Sequence, residues 1–174
     1  MKLIHYFLKL NPYRQILWLV LAIGFSGSIV SLTMQYVFDF NPCVMCIQQR
    51  VAMMVLTLLA LLMLILPLSR AWARLVAAVG VSVPTAFGAY IAAKQIYIQS
   101  LPITEQPSCG APWTFRLRGA PLFDWYEPII RGTGVCGKVE KLMGLSLPTW
   151  ALLFFVGVLS LLWGGLIYAK WMKK

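Results

Sequence analysis

Residues 147–169 read LPTWALLFFVGVLSLLWGGLIYA, a run without one charged side chain. A helix rising about 1.5 Å per residue needs about 20 apolar residues to cross about 30 Å of hydrocarbon, and this run is long enough. Three more stretches of that kind lie near Ile16–Phe38, Ile47–Leu66 and Trp72–Ala93. The 174-residue chain is 60% hydrophobic and 11% charged, more apolar surface than a soluble domain can hide. The expectation is therefore an all-α integral membrane protein: a four-transmembrane-helix bundle forming a single membrane domain over residues 1–174. The first run is too long for a signal-peptide core and lacks a small-x-small cleavage site, so it reads as an uncleaved span.

Charge sets the orientation. The formal net charge is +10, which raises nucleic acid as a partner, but its distribution argues for topology instead. Lys2, Lys9, Arg14, Arg70, Arg74, Lys170, Lys173 and Lys174 fall on one side of the four runs, with no acid among them. All 5 acids fall on the other side. By the positive-inside rule both termini and the turn between the second and third helices face the cytoplasm, with the lipid bilayer as the basic residues' partner.

Helix one carries Gly24, Ser26, Gly27, Ser28 and Ser31, small residues that let a neighbouring helix approach. Helix three carries Pro84, where a kink is expected, either as a packing feature or to open space for a ligand. Residues 95–146 form an outer loop, longer than a connector needs. Within Pro121–Arg131, Asp124, Glu127 and Arg131 share one side at helical spacing, and Phe123, Tyr126 and Ile130 share another. That pattern predicts a short interfacial helix within this long periplasmic loop, a reading compatible with a loop folded down over the mouth of the bundle.

This topology puts all 4 cysteines on the outer side, the periplasm of a bacterium, where disulfides persist. Cys43 and Cys46 form a Cys-x-x-Cys pair in Asn41-Pro42-Cys43-Val44-Met45-Cys46, where the first apolar run gives way to the second; Cys109 and Cys136 lie in the long loop. Of the three pairings that four cysteines permit, Cys43–Cys46 with Cys109–Cys136 is the simplest. Cys46 is expected at or just before the start of helix two, where unpaired N–H groups favour its thiolate. Arg50, one turn deeper on the same face, either adds positive charge to that site or snorkels to headgroups. Cys109, in the turn-forming stretch Gln106-Pro107-Ser108-Cys109-Gly110, is expected to be exposed. Three uses of the cysteines stay open: a zinc site, a structural staple, and thiol–disulfide exchange with a protein partner. A redox dithiol needs an electron acceptor. The chain shows no dinucleotide-binding glycine fingerprint and no ferredoxin cysteine run, and its single histidine, His5, excludes a two-histidine haem. By elimination the acceptor is a lipid-soluble quinone.

Pro42-Cys43-Val44-Met45-Cys46 followed by Arg50, the loop pair Cys109 and Cys136, and Gly144-Leu145-Ser146-Leu147-Pro148-Thr149-Trp150 together resemble the disulfide bond formation protein B (DsbB) family. The resemblance covers essentially the whole chain. It implies a bacterial inner-membrane enzyme that reoxidises a periplasmic thioredoxin-fold oxidase of the DsbA type and passes two electrons to the membrane quinone pool, ubiquinone or menaquinone. DsbA-type oxidants sit near about −120 mV, so the final acceptor must be strongly oxidising. Carried over by position, Cys109 is the sulfur attacked by the partner, Cys136 exchanges with Cys43, Cys46 faces the quinone, and Arg50 holds it. No metal is implied. Many members carry a histidine near the outer end of helix three, where this chain has Lys94-Gln95. Lys94 can still offer positive charge there, and Gln95 is not among the expected site residues. Two other readings remain: a disulfide reductase carrying electrons outward, and a scaffold whose cysteines only brace the outer face.

Overall fold

In the computed structural model, which describes residues 11–171, each apolar run is a helix. Lys2, His5, Lys9, Lys173 and Lys174 lie outside the described residues. Helix α1 (Pro12–Tyr36) starts earlier than the apolar run because Asn11 caps it. The Asn11 side-chain oxygen accepts from the Tyr13 N–H at 3.1 Å, and Pro12 takes a first-turn position that needs no N–H. Helix α2 (Val44–Met63) also starts earlier than expected.

Helix α3 (Ala71–Ser100) runs well past the expected end at Ala93, through Pro84 without a break. Ile91, Ala92, Gln95 and Ile98 keep one buried stripe at helical spacing, so tertiary packing carries the helix on until Pro102 restricts Leu101 to extended backbone. Its 30 residues span roughly 45 Å, more than the hydrocarbon thickness. The loop therefore begins at Leu101, not at Gln95. It holds a 3-10 turn at Ile103–Glu105, helix α4 (Trp113–Arg116), helix α5 (Phe123–Ile130), and a hairpin of β1 (Lys141–Leu142) and β2 (Leu145–Ser146). Met143 and Gly144 both take positive φ between the strands, at 52° and 85°, the geometry a two-residue hairpin turn demands. Helix α6 (Leu147–Trp171) follows at once.

Around the bundle the helices run in the order α1, α2, α3, α6, each touching the two beside it. Leu17, Val20, Leu56, Ala77, Val81, Phe155 and Leu162 fill the axis. Phe25, Leu58, Val83 and Leu153 point outward and are exposed on all four helices. Such an apolar exterior is unsustainable in water and natural in lipid. With four helices long and apolar enough to cross a bilayer, the chain is a multi-pass membrane protein.

Close approach rests on small residues. A Cβ on Gly88 would run into the Phe155 ring, and one on Gly24 into the Thr57 hydroxyl. Gly88→Val should therefore overpack the α3–α6 seam and lower stability by about 1–3 kcal/mol. Thermal unfolding of the detergent-solubilised protein reads this, and an unchanged midpoint would refute so close a contact.

Candidate active site

Cys43 ends the extended stretch after α1 and caps α2, its sulfur accepting the Cys46 N–H at 3.3 Å. Cys46 is therefore the third residue of the helix rather than its boundary. The two sulfurs stand 2.9 Å apart as a hydrogen-bonded dithiol. Cys43 is 3% exposed, and its ionisation is pushed up, first by the hydrogen bond with Cys46 and then by burial. It is thus the sulfur of the pair that keeps its proton.

Cys109 and Cys136 are joined as a disulfide, their Cα atoms 6.2 Å apart. Cys136 is fully buried and Cys109 half-buried, less exposed than expected. The loop pair reaches the membrane pair because residues 132–134 lie along residues 41–43. The Gly134 N–H donates to the Pro42 carbonyl at 3.2 Å. Asn41 grips Thr133 twice: its Oδ1 accepts the Thr133 N–H and its Nδ2 donates to Thr133 Oγ1, both at 2.9 Å. A Cβ on Gly132 would meet the Pro42 carbonyl, and one on Gly134 the Asn41 carbonyl. Gln99 on α3 holds the far side, donating from Nε2 to the Cys136 carbonyl at 3.4 Å and to the Lys138 carbonyl at 3.1 Å. All four cysteines consequently share one apolar cluster with Met45, Ile91 and Ile98.

Below the dithiol lies Arg50, 4% exposed. Its guanidinium donates to Ser31 Oγ at 2.8 Å, the Ser31 carbonyl at 3.3 Å, Gln35 Oε1, and the Ile129 carbonyl at 3.1 Å. Every one of these acceptors is neutral. Ile129 lies in the last turn of α5, whose carbonyls have no partner within the helix. The same end is held by Tyr36, donating to the Pro128 carbonyl at 2.6 Å, and by Gln35, donating to the Arg131 carbonyl at 3.0 Å. Phe123, Tyr126 and Ile130 turn toward the protein, Trp125 turns out, and Glu127 pairs with Arg131 at 2.7 Å. The loop thus folds over the mouth of the bundle.

Arg50, Cys43, Cys46, Gln49 and Gln95 line a cavity of about 1090 Å³ between α1 and α6. Its remaining wall is largely apolar, and the exposed lining residues Ile23, Val30, Phe38 and Trp150 set its mouth on the outer surface of the bundle. An apolar slot with a few convergent polar groups is the usual form of a site for a small, mostly apolar ligand.

The family model for Disulfide bond formation protein DsbB matches residues 13–164. The chain is 42% identical over 158 residues to Disulfide bond formation protein B of Neisseria meningitidis serogroup A, covering 91% of this chain and 98% of that protein. It is 32% identical over 161 residues to the protein of that name from Saccharophagus degradans, covering 91% and 96%. With the protein of that name from Chromobacterium violaceum the identity is 30% over 148 residues, covering 82% and 86%. The chain belongs to the DsbB family.

For this DsbB-family chain the structure gathers Cys43, Cys46, Cys109 and Cys136 in one cluster, and Cys43, Cys46 and Arg50 line the cavity beside it. Arg50 is buried and does not snorkel. Lys94 is exposed and is not part of the cavity lining, so it supplies no charge there. Pro84 also lies off the cavity. The residue that sequence reasoning passed over is Gln95, 2% exposed and bonded to both sulfurs of the dithiol. Its signal was present: a polar residue on the stripe of Ile91, Ala92 and Ile98 is anomalous and needs partners.

Asn41→Ala removes both side-chain bonds to Thr133 and should weaken the clasp by about 1–2 kcal/mol. Amide exchange across residues 132–136 should accelerate about tenfold; unchanged exchange would show that Asn41 does not hold the loop.

Proposed function

We propose that the chain is a protein thiol:quinone oxidoreductase of the bacterial inner membrane, reoxidising a periplasmic DsbA-type dithiol oxidase. The observation that carries this reading is the meeting of two cysteine pairs above an apolar cavity whose polar end is a buried arginine. Family membership supports it, since the relatives are named for disulfide bond formation. In this reading the cysteine end faces the periplasm, and Arg14, Arg70, Arg74 and Lys170 at the other end face the cytoplasm.

The exchange proceeds sulfur by sulfur. A thiolate of the reduced partner attacks Cys109, the more accessible sulfur of the loop disulfide; a partner–Cys109 bond forms and Cys136 leaves as a thiolate. The partner's second thiol displaces Cys109, and the partner departs oxidised. Cys136, held near Cys43 by the 132–134 clasp, attacks Cys43 of an oxidised Cys43–Cys46 pair, and Cys46 leaves. Cys109 then attacks Cys136, restoring the loop disulfide and leaving Cys43 and Cys46 reduced. Two electrons have now moved from partner to membrane pair. A quinone, ubiquinone or menaquinone, supplies the acceptor for those two electrons and two protons. Cys46, Arg50, Gln49 and Gln95, which line the cavity, would hold it, and the apolar walls would suit its ring and tail. Arg50, buried without a carboxylate partner, favours whatever negative charge develops beside it.

Quinone reduction by the full chain in lipid nanodiscs, with a reduced DsbA-type protein as donor, tests this. Wild type should reduce quinone, and Cys46→Ser should abolish turnover while still forming a mixed disulfide with the donor. Arg50→Lys keeps the charge but loses the planar fork, and should raise the quinone KM about tenfold. A wild type that captures the donor yet reduces no quinone would remove the quinone assignment.

A further inference from the structure

We propose that Gln95 holds Cys46 in its thiolate form, acting through its side-chain amide as a fixed donor to the reactive dithiol. The proposal takes Cys46 as the sulfur facing the acceptor, as above, but its test needs neither donor nor acceptor.

The Gln95 Nε2 lies 3.3 Å from Cys43 Sγ and 3.3 Å from Cys46 Sγ. The NH₂ group thus sits against both sulfurs as a donor. The orientation of the amide is set by a neighbour: Gln49 Nε2 donates to Gln95 Oε1 at 2.7 Å. Turning the Gln95 amide over alone would face NH₂ against NH₂, so Gln49 in this orientation favours the donor end toward the thiols. The alternative contact, from a protonated Cys46 to Gln95 Oε1, spans 3.8 Å. The geometry therefore serves an ionised sulfur better than a protonated one. An amide also keeps its donors at every pH, so the support it gives does not titrate away.

The setting makes such a donor necessary. Gln95 is 2% exposed and Cys43 3%, and Cys46 beside them is half-buried on the cavity wall, so an anion there depends in good part on donors from the protein. From α2 the charged and titratable groups facing the pair are Cys43 itself and Arg50. From the segments around the cavity mouth they are Asp39, Lys138 and Glu140. Neither α3 nor α6 contributes a charged group to the cavity; on the α3 side the neutral amide of Gln95 is the donor that reaches the sulfurs. Arg50 directs its own donors to Ser31, Gln35 and Ile129 rather than to either sulfur.

The experiment follows iodoacetamide alkylation of Cys46 against pH, mapped by peptide mass spectrometry, on the full chain in nanodiscs with the membrane pair reduced. Gln95→Met keeps the size and removes the donors. Its Cys46 should react roughly tenfold or more slowly at neutral pH and reach the wild-type rate at alkaline pH. Gln95→Glu, which replaces the donors by a carboxylate, should shift the profile at least as far in the same direction. Gln49→Leu frees the amide and should shift it less. A packing role alone would scale the rate equally at every pH, and that outcome, or profiles that coincide with wild type, would overturn the proposal. If a Gln95 variant does not fold, Gln49→Leu decides by the same reading. The profile is independent of quinone turnover, so failure here and failure of the oxidoreductase reading are distinguishable.

Discussion

The site exists because two lengths of backbone lie closer than side chains would permit. Gly132 and Gly134 face the carbonyls of Pro42 and Asn41 at distances where a Cβ would overlap them. Asn41 and the Gly134 N–H then close the contact with hydrogen bonds. Cys136 follows two residues after this clasp, and Cys43 is part of it, so their nearness is a consequence of backbone fit rather than of any attraction between sulfurs. Residues far apart in sequence become neighbours at the cost of ordering one short segment, while the rest of the loop stays outside it.

A second constraint comes from the membrane. Buried polar groups in an apolar bundle must find partners inside the protein. Arg50 meets this demand with Ser31, Gln35 and the end carbonyls of α5. Gln49, Gln95 and the two thiols meet it with one another. The two networks lie on the same cavity but share no residue. One fastens the loop helix to α1 and α2 through a cation that has no anion beside it; the other fixes the dithiol against α3. An electronegative ligand in the cavity would therefore meet a positive charge from one side and the amide-held dithiol from the other.

Much of this was legible in the sequence, and the exceptions have identifiable causes. Charge-free apolar runs define four helices because lipid enforces helical backbone over such lengths. Their ends were less legible. Asn11 and Cys43 cap helices ahead of the apolar runs, and Gln95 stays helical because its stripe remains buried beyond Ala93. The cysteines and Arg50 announced themselves by residue type and spacing. The clasp did not, since nothing local to Gly132-Thr133-Gly134 says which distant backbone it will meet. Lys94 and Gln95 show the same limit at one position. Charge made Lys94 the more conspicuous, but one residue's rotation about α3 puts Lys94 outside and Gln95 on the sulfurs.

The helix geometry also explains how a polar site can sit so close to lipid. Cys43 caps α2, Cys46 occupies its third position, and Arg50 follows one turn below. A single helix N-terminus thus joins the loop to the cavity, its unpaired N–H groups and dipole favouring negative charge at Cys46 rather than at the proton-keeping Cys43. Opposite it, α3 is long enough to rise past the hydrocarbon, so Gln95 faces the dithiol and Gln99, one turn further on, grips the Cys136 backbone. Both cysteine pairs are thereby referred to one rigid helix. Relative position along α3 fixes which pair lies nearer the cavity and which nearer the loop, and that order is the one the proposed transfer from loop to membrane would require.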